Sequence, residues 1–216
     1  MEQNDPGELL EVFDEAGRPT GVAKPRSAIH VDGDWHLAFH CWILRHAGDE
    51  VVLQRRSMLK DTYAGCWDAA AAGHWRFKES AAEAAREIAE ELGIEARFED
   101  LVFRGREKSS RGYANGLTDR ELHEVYVLED DRPLSTYRPD PREVSALAAF
   151  RLSKLIAVVA GATSSVAANE AVGVGADGRL TALEVVITKP DLVPYSAARL
   201  RRNLNGLERV KLECHG

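Results

Sequence analysis

The sequence predicts an α/β (α+β) fold, a mixed β-sheet with helices packed on it. Three observations predict it. Segments rich in β-branched and aromatic residues alternate with helical segments, yet short turns join most of the strands as hairpins. One stretch, Glu79 to Leu92, combines strong helix formers with apolar residues at helical spacing. The composition, 44% hydrophobic and 29% charged over 216 residues, is that of a globular chain that can bury a core without disulfides or metal staples.

The elements follow in order. Leu9 to Asp14 and Pro19 to Ala23 flank Glu15-Ala16-Gly17-Arg18 and read as a hairpin. Trp35 to Arg45 reads as a strand, His46 to Asp49 as a turn and Val51 to Arg55 as the returning strand. Trp67 to Gly73 is a run of small residues, a strand crowded by a neighbour. In the helix, Ala81, Ala85, Ile88 and Leu92 share the core face, and Gly93 follows the last turn as a C′ glycine. Strands are expected at Phe98 to Arg106 and Glu121 to Glu129, with a loop over Ser109 to Asp119. Val144 to Arg151 reads as a strand, Ser153 to Val159 as a short helix, and Gly161 to Asn169 as a mobile polar segment. Val172 to Val174 and Leu180 to Thr188 flank Ala176-Asp177-Gly178-Arg179, a second hairpin. Ala197 to Leu207 reads as a closing basic helix. The expected organisation is an N-terminal hairpin arm over 1–30, a core over 31–152, and C-terminal helices and a hairpin over 153–216.

Charge and cysteine usage narrow the function. Lys plus Arg is 28 and Asp plus Glu is 35, so the net charge is −7, which disfavours a nucleic-acid polymer held by bulk charge. An acidic protein still binds a polyanion when metal ions bridge the two. Cys41, Cys66 and Cys214 form no CxxC pair, so they are expected as free thiols of a cytoplasmic protein. The N-terminal MEQNDPGELL does not read as a secretory signal, and Leu155 to Ala162 is too short to span a bilayer.

The chemistry lies in Gly73-His-Trp-Arg-Phe-Lys-Glu79 and the helix after it. Glu87, Glu90 and Glu91 stand at i, i+3 and i+4 and share one helix face. Like charges at that spacing repel by a few tenths of a kcal/mol per pair. Together they make a hard oxygen surface suited to Mg²⁺ or Mn²⁺. An isolated Arg-Glu-Ile-Ala-Glu-Glu string would read as a solvated acidic face, but the glycine loop ahead of it makes the pattern much rarer.

The segment resembles the Nudix box, Gly-x5-Glu-x7-Arg-Glu-U-x-Glu-Glu-x-Gly-U with U aliphatic, matching at Gly73, Glu79, Arg86, Glu87, Ile88, Glu90, Glu91, Gly93 and Ile94. Glu79 to Arg86 encloses six residues rather than seven, as in the branch that resembles isopentenyl-diphosphate isomerase. Lys78 stands where the family usually has Gly, and Arg76 where an acidic or small residue is common. Further likeness to that branch runs through Leu10 to Gly21, His36 to Ile43, Leu53 to Ser57, Trp67 to His74, His123 to Tyr126, Arg142 to Val144 and Val193 to Ser196.

The resemblance implies a Nudix fold, a mixed sheet sandwiched between helices, with an N-terminal hairpin and a C-terminal extension. It also implies metal-dependent hydrolysis of a diphosphate linkage in a nucleoside diphosphate derivative or related small molecule. Glu87, Glu90 and Glu91 would bind Mg²⁺ or Mn²⁺, joined by Glu79 and the carbonyl of Ala72. Arg86 would orient the glutamates. Glu90, Glu91, Arg86 and Glu124 are the candidate catalytic residues. For Glu124, an extra ligand or base and a plain strand glutamate are equally open. Arg76, Lys78 and Arg55 are candidate substrate contacts, and a homodimer is the candidate assembly.

In the isomerase, two histidines of the N-terminal region and that of the Gly-His pair bind a structural metal, and His30, His36 and His74 invite the same reading. Histidines on such strands, His40 and His123 included, are more often packed or hydrogen-bonded than ligands, and that is the expectation here. The isomerase's catalytic cysteine falls at Ala72, and an alanine cannot transfer a proton, so isomerisation is rejected on chemical grounds. An isomerase-like protein and a non-catalytic nucleotide-binding Nudix module stay as alternatives. Trp35, Trp75, Tyr113 and Tyr195 either stack a base or belong to the core and rim.

Overall fold

The computed structural model describes residues 8–47, 49–60, 62–113 and 117–193. A hairpin opens it, β1 (Leu9–Phe13) and β2 (Pro19–Pro25). Its turn closes through Gly17 at φ 79°. Arg26–Asp32 then forms a short helix, α1, where the sequence reading places only an arm. Its single fully buried side chain, Ile29, is too little apolar signal to reveal it.

The hub is β3 (Trp35–Arg45). It pairs antiparallel with β4 (Glu50–Arg56) at one end and with β6 (Ala71–His74) further along. Along its length it pairs parallel with β8 (Thr118–Glu129). A strand covered on both faces loses the alternation of an exposed one, and β3 is buried from His36 to Arg45. Two-residue β5 (Trp67–Asp68) joins β4, and β7 (Leu101–Gly112) joins β8. Beyond β4 the sheet runs through β9 (Val144–Arg151), β11 (Glu170–Val174) and β12 (Leu180–Ala182).

Helices cover both faces. On one side Ala84, Ala85, Ile88 and Leu92 pack against Leu37, Phe39, Cys41 and Ile43 of β3. On the other, Leu152, Leu155, Val158 and Val159 of α4 (Leu152–Val159) pack with Trp42 and Leu44. This is a sheet sandwiched between helices, as expected.

Several local expectations change. The Glu79 to Leu92 helix is two pieces, α2 (Ala81–Ala84) and α3 (Arg86–Leu92), separated by a turn at Ala85. The Ile88 N–H bonds the Ala85 carbonyl, an i to i+3 bond that tightens the coil there. Ser80 and Glu83 form a capping box at the start, and Gly93 ends the helix at φ 61°. Residues Ser109 to Gly112 and Thr118 to Glu121 are not a loop but the far end of the β7–β8 hairpin. Backbone pairing extends a strand through Ser and Gly even where side chains give no alternation. The segment Gly161 to Asn169 contains β10 (Ser165–Ala167), which pairs with β13 (Val186–Thr188) as a separate two-stranded sheet. Leu180 to Thr188 is therefore two strands in two sheets. The basic helix expected at Ala197 to Leu207 lies outside the described residues.

Candidate functional site

α3 enters the sheet side with Ile88 and Leu92 fully buried. Each contributes about 2 kcal/mol of burial, well above the few tenths per pair that the three glutamates cost by repulsion. The helix can therefore carry its acidic face. Glu87 and Glu91 are 8% and 3% exposed, whereas Glu90 is on the rim. Gly73 on β6 makes room: a Cβ there would lie 2.1 Å from Glu87 Cδ, so only glycine fits under that carboxylate.

Arg86 ties this face together. Its Nε donates to Glu79 Oε1 at 2.7 Å, and its Nη1 donates to Glu87 Oε1 at 2.5 Å and to Glu90 Oε2 at 2.8 Å. Nη2 donates to the His74 carbonyl at 3.1 Å. Burial works against its charge, but Glu87, Glu79 and Glu90 outweigh this and raise its pKa. Glu79, ahead of α2, also accepts from the Arg76 N–H at 2.7 Å, which fixes the loop.

Glu91 sits in a pocket of its own. Its Oε2 accepts from Gln54 Nε2 and from the Ala72 N–H, each at 2.9 Å. The Ala72 contact is thus seen through its N–H. Burial pushes the Glu91 carboxyl up to about 7, although Lys60, the Ala72 N–H and Arg56 pull the other way. Burial and the neighbouring Glu91 push Glu87 up to about 8. Lys60 pairs with Glu143. Each of Glu87, Glu90 and Glu91 has one oxygen held by a hydrogen bond, while its second oxygen makes none among the described residues. Three such oxygens suit a divalent cation, which would offset the cost of keeping Glu87 and Glu91 charged where burial disfavours it.

The other expected residues are placed as follows. Glu124 on β8 is buried, not a surface glutamate. It accepts from Arg106 Nε and Nη2 at 3.1 and 2.5 Å and from the Tyr126 hydroxyl at 2.9 Å. It shares a row with Phe39 and Gly73, so it stands two strands, about 10 Å, from the glycine under Glu87. Arg76 is 52% exposed and lies 3.8 Å from Glu90. Lys78, at φ 63°, lies with Arg76 and Phe77 along a hollow of about 720 Å³ floored by Ala82, Ala85 and Ala89. Arg55 donates to the Gly65 carbonyl at 2.9 Å. Its neighbour Gln54 takes the helix-facing side of β4, and the cations that act on Glu91 are Lys60 and Arg56.

The NUDIX domain profile matches residues 34–168. The chain belongs to the Nudix family. An uncharacterized Nudix hydrolase of Clostridium acetobutylicum is 32% identical over 190 residues, 87% of this chain and 91% of that one. An isopentenyl-diphosphate Delta-isomerase of Paenarthrobacter aurescens is 35% identical over 143 residues, 64% of this chain and 73% of that one. The chain is therefore a Nudix protein of the isomerase-like branch. A Deinococcus radiodurans crystal structure superposes with TM-score 0.53 at 21% identity, covering 71% of this chain and 90% of that one, and so shares the fold.

The Nudix box departure at Lys78 now has a shape. The family's glycine position falls on a left-handed φ, which this chain fills with lysine at some strain. The histidines, expected as separate packed residues, converge instead. Ring centroids of His30, His36 and His74 lie 5.1 to 5.7 Å apart. One ligand atom from each lies within 4.8 Å of the others, and the same holds for His36, Asp119 and Glu121. Burial, helped by Arg26, pushes His74 down to about 3, and burial lowers His36. Both are therefore neutral donors at pH 7. His36 Nε2 is buried with no hydrogen bond, as a ligand nitrogen would be. Burial alone would raise the Glu121 carboxyl, but His123 and His74 hold it well below the usual range. These residues fit a second cation. Gln54, Lys60, Arg56 and Glu143 are the neighbours of Glu91 that sequence reasoning missed. Only the position of Gln54 beside Val52 on the inward side of β4 hints at any of them.

Proposed function

We propose that this protein is a divalent-cation-dependent hydrolase of a diphosphate linkage in a nucleoside diphosphate derivative or a related small molecule. One observation carries this reading: the three box glutamates are each fixed through one oxygen, Glu87 and Glu91 offer the other, and the other oxygen of Glu90 meets only Arg76 at 3.8 Å. Glu87, Glu90 and Glu91 would hold Mg²⁺ or Mn²⁺, which, when bound, neutralises phosphate charge and activates water. Glu79 keeps Arg86 in register, and Arg86 holds Glu87 and Glu90. The Ala72 carbonyl, at the edge of this cluster, is a further candidate ligand. Glu90 or Glu91 takes the proton of the attacking water, with Glu124 as the candidate alternative base. Lys60 and Arg56 meet the substrate phosphates beside Glu91, and Arg76, Lys78 and Arg55 supply outer positive charge.

A second cation at His30, His36 and His74 would be structural, joining α1, β3 and β6. That cluster favours an isomerase-like scaffold. Ala72 has no proton to give, so the scaffold is read as serving hydrolysis. The described residues contain no helix long and apolar enough to cross a membrane, and free Cys41 and Cys66 accord with a cytoplasmic location.

A phosphate-release screen over nucleoside di- and triphosphates, dinucleotides, nucleotide sugars and prenyl diphosphates tests the reading. Activity is expected with Mg²⁺ or Mn²⁺ and none in excess EDTA; full turnover with EDTA would sink it. Lys60→Ala is expected to raise KM about tenfold with little change in kcat, because a phosphate contact made equally in ground and transition states changes binding alone. Steady-state kinetics on the best substrate measures this, and an unchanged KM would return Lys60 to a purely structural pairing with Glu143.

A further inference from the structure

Gln54 is 1% exposed on the sheet face that looks at α3. Its amide nitrogen and the Ala72 N–H both donate to Glu91 Oε2. A carboxylate oxygen has two lone pairs, so these two donors saturate Oε2 and leave Oε1 as the oxygen that Glu91 can offer. The orientation of the amide is fixed by chemistry, since turning it over would set its oxygen against a carboxylate oxygen. The Gln54 oxygen, Oε1, then faces away from Glu91 and is buried with no hydrogen-bond partner. Its cross-strand neighbours offer no side-chain donor: Asp68 on β5 is an acceptor when ionised, and Leu147 on β9 is apolar.

Resting on the reading of α3 as a cation site, we propose that Gln54 is a positioning residue of that site. Its nitrogen turns Glu91 so that Oε1 meets the cation. One neutral amide thus orients a ligand carboxylate. It adds no charge that would compete with substrate phosphate.

The test is Mn²⁺ binding to the full chain, followed by the electron paramagnetic resonance signal of unbound Mn²⁺. Wild type, Gln54→Met, Glu91→Gln and the double variant are compared, with circular dichroism to confirm folding. Gln54→Met is expected to weaken Mn²⁺ binding about tenfold, the loss typical of removing a ligand's hydrogen-bond partner. In the Glu91→Gln background the same change should cost less than about twofold, because the two residues act as a unit. Equal losses in both backgrounds, or none in either, would overturn the proposal. Gln54→Asn keeps the amide but falls one methylene short of Glu91. It should behave as Gln54→Met does, and it replaces that variant if methionine does not fold. If Glu91→Gln itself leaves Mn²⁺ affinity at the wild-type value, it is the cation-site reading that fails. Mn²⁺ at the histidine cluster is counted apart, since Glu91→Gln leaves that cluster intact.

Discussion

Glu91→Gln is expected to lower kcat by about 100-fold or more, and Glu90→Gln by a similar factor, since each removes a ligand or base from the transition state. Glu91 is the more telling of the two. It is buried and aimed by Gln54 and Ala72, so the amide substitute stays in place and loses only its charge. Folding should survive, and the melting temperature of the metal-free protein should hold or rise. The lost carboxylate was buried, and it stood against Glu87, whose pKa it helps to raise. Steady-state kinetics and thermal melts on both variants check this. Near-normal turnover in both would remove the site assignment.

Gly93→Ala should be the most damaging small substitution for stability. Gly93 sits at φ 61°, and a Cβ there would lie 2.1 Å from the Arg138 carbonyl oxygen. That carbonyl belongs to a backbone that cannot swing aside, because the Arg138 N–H bonds the Leu92 carbonyl at 2.9 Å and the Asp140 N–H bonds the Glu91 carbonyl at 3.0 Å. The left-handed backbone and the clash together should cost about 2–4 kcal/mol. Urea melts measure it. Gly112→Ala, with nothing within 4 Å of its Cβ, is the control and should stay within about 0.5 kcal/mol. Equal midpoints for the two variants would show that the Arg138 segment yields freely.

The sequence is most readable where side-chain pattern and backbone structure coincide. Trp35–Arg45 and Val144–Arg151 are strands at the bounds their β-rich composition marks, and Gly93 caps the helix at the expected place. The box glutamates, Arg86 and Gly73 are legible because their spacing is local. What is hidden is what depends on contacts between distant elements. α1 shows one buried residue, so its sequence looks like a linker. Ser109–Gly112 is extended because β8 pairs with it, not because its own residues favour a strand. The histidine cluster draws on α1, β3, β6 and β8, and no spacing along the chain announces that convergence. Lys60 reaches the Glu91 surroundings from a loop, where no periodicity gives direction.

The parallel pairing of β3 with β8 also sets when the site can exist. Trp35 lies against Arg120 and Leu44 against Glu129, so the central ladder joins segments made far apart in time on the ribosome. Closing so long a loop costs chain entropy before any contact repays it, which places this topology among the slower folders. The box helix emerges well before β8, and until the ladder closes its glutamates face water as ordinary solvated acids. The raised proton affinity of Glu87 and Glu91 and the offered oxygens belong to the finished sheet alone. A nascent chain therefore carries the complete box while still having no cation site, and acquires one only when its middle strand finds a partner synthesised much later.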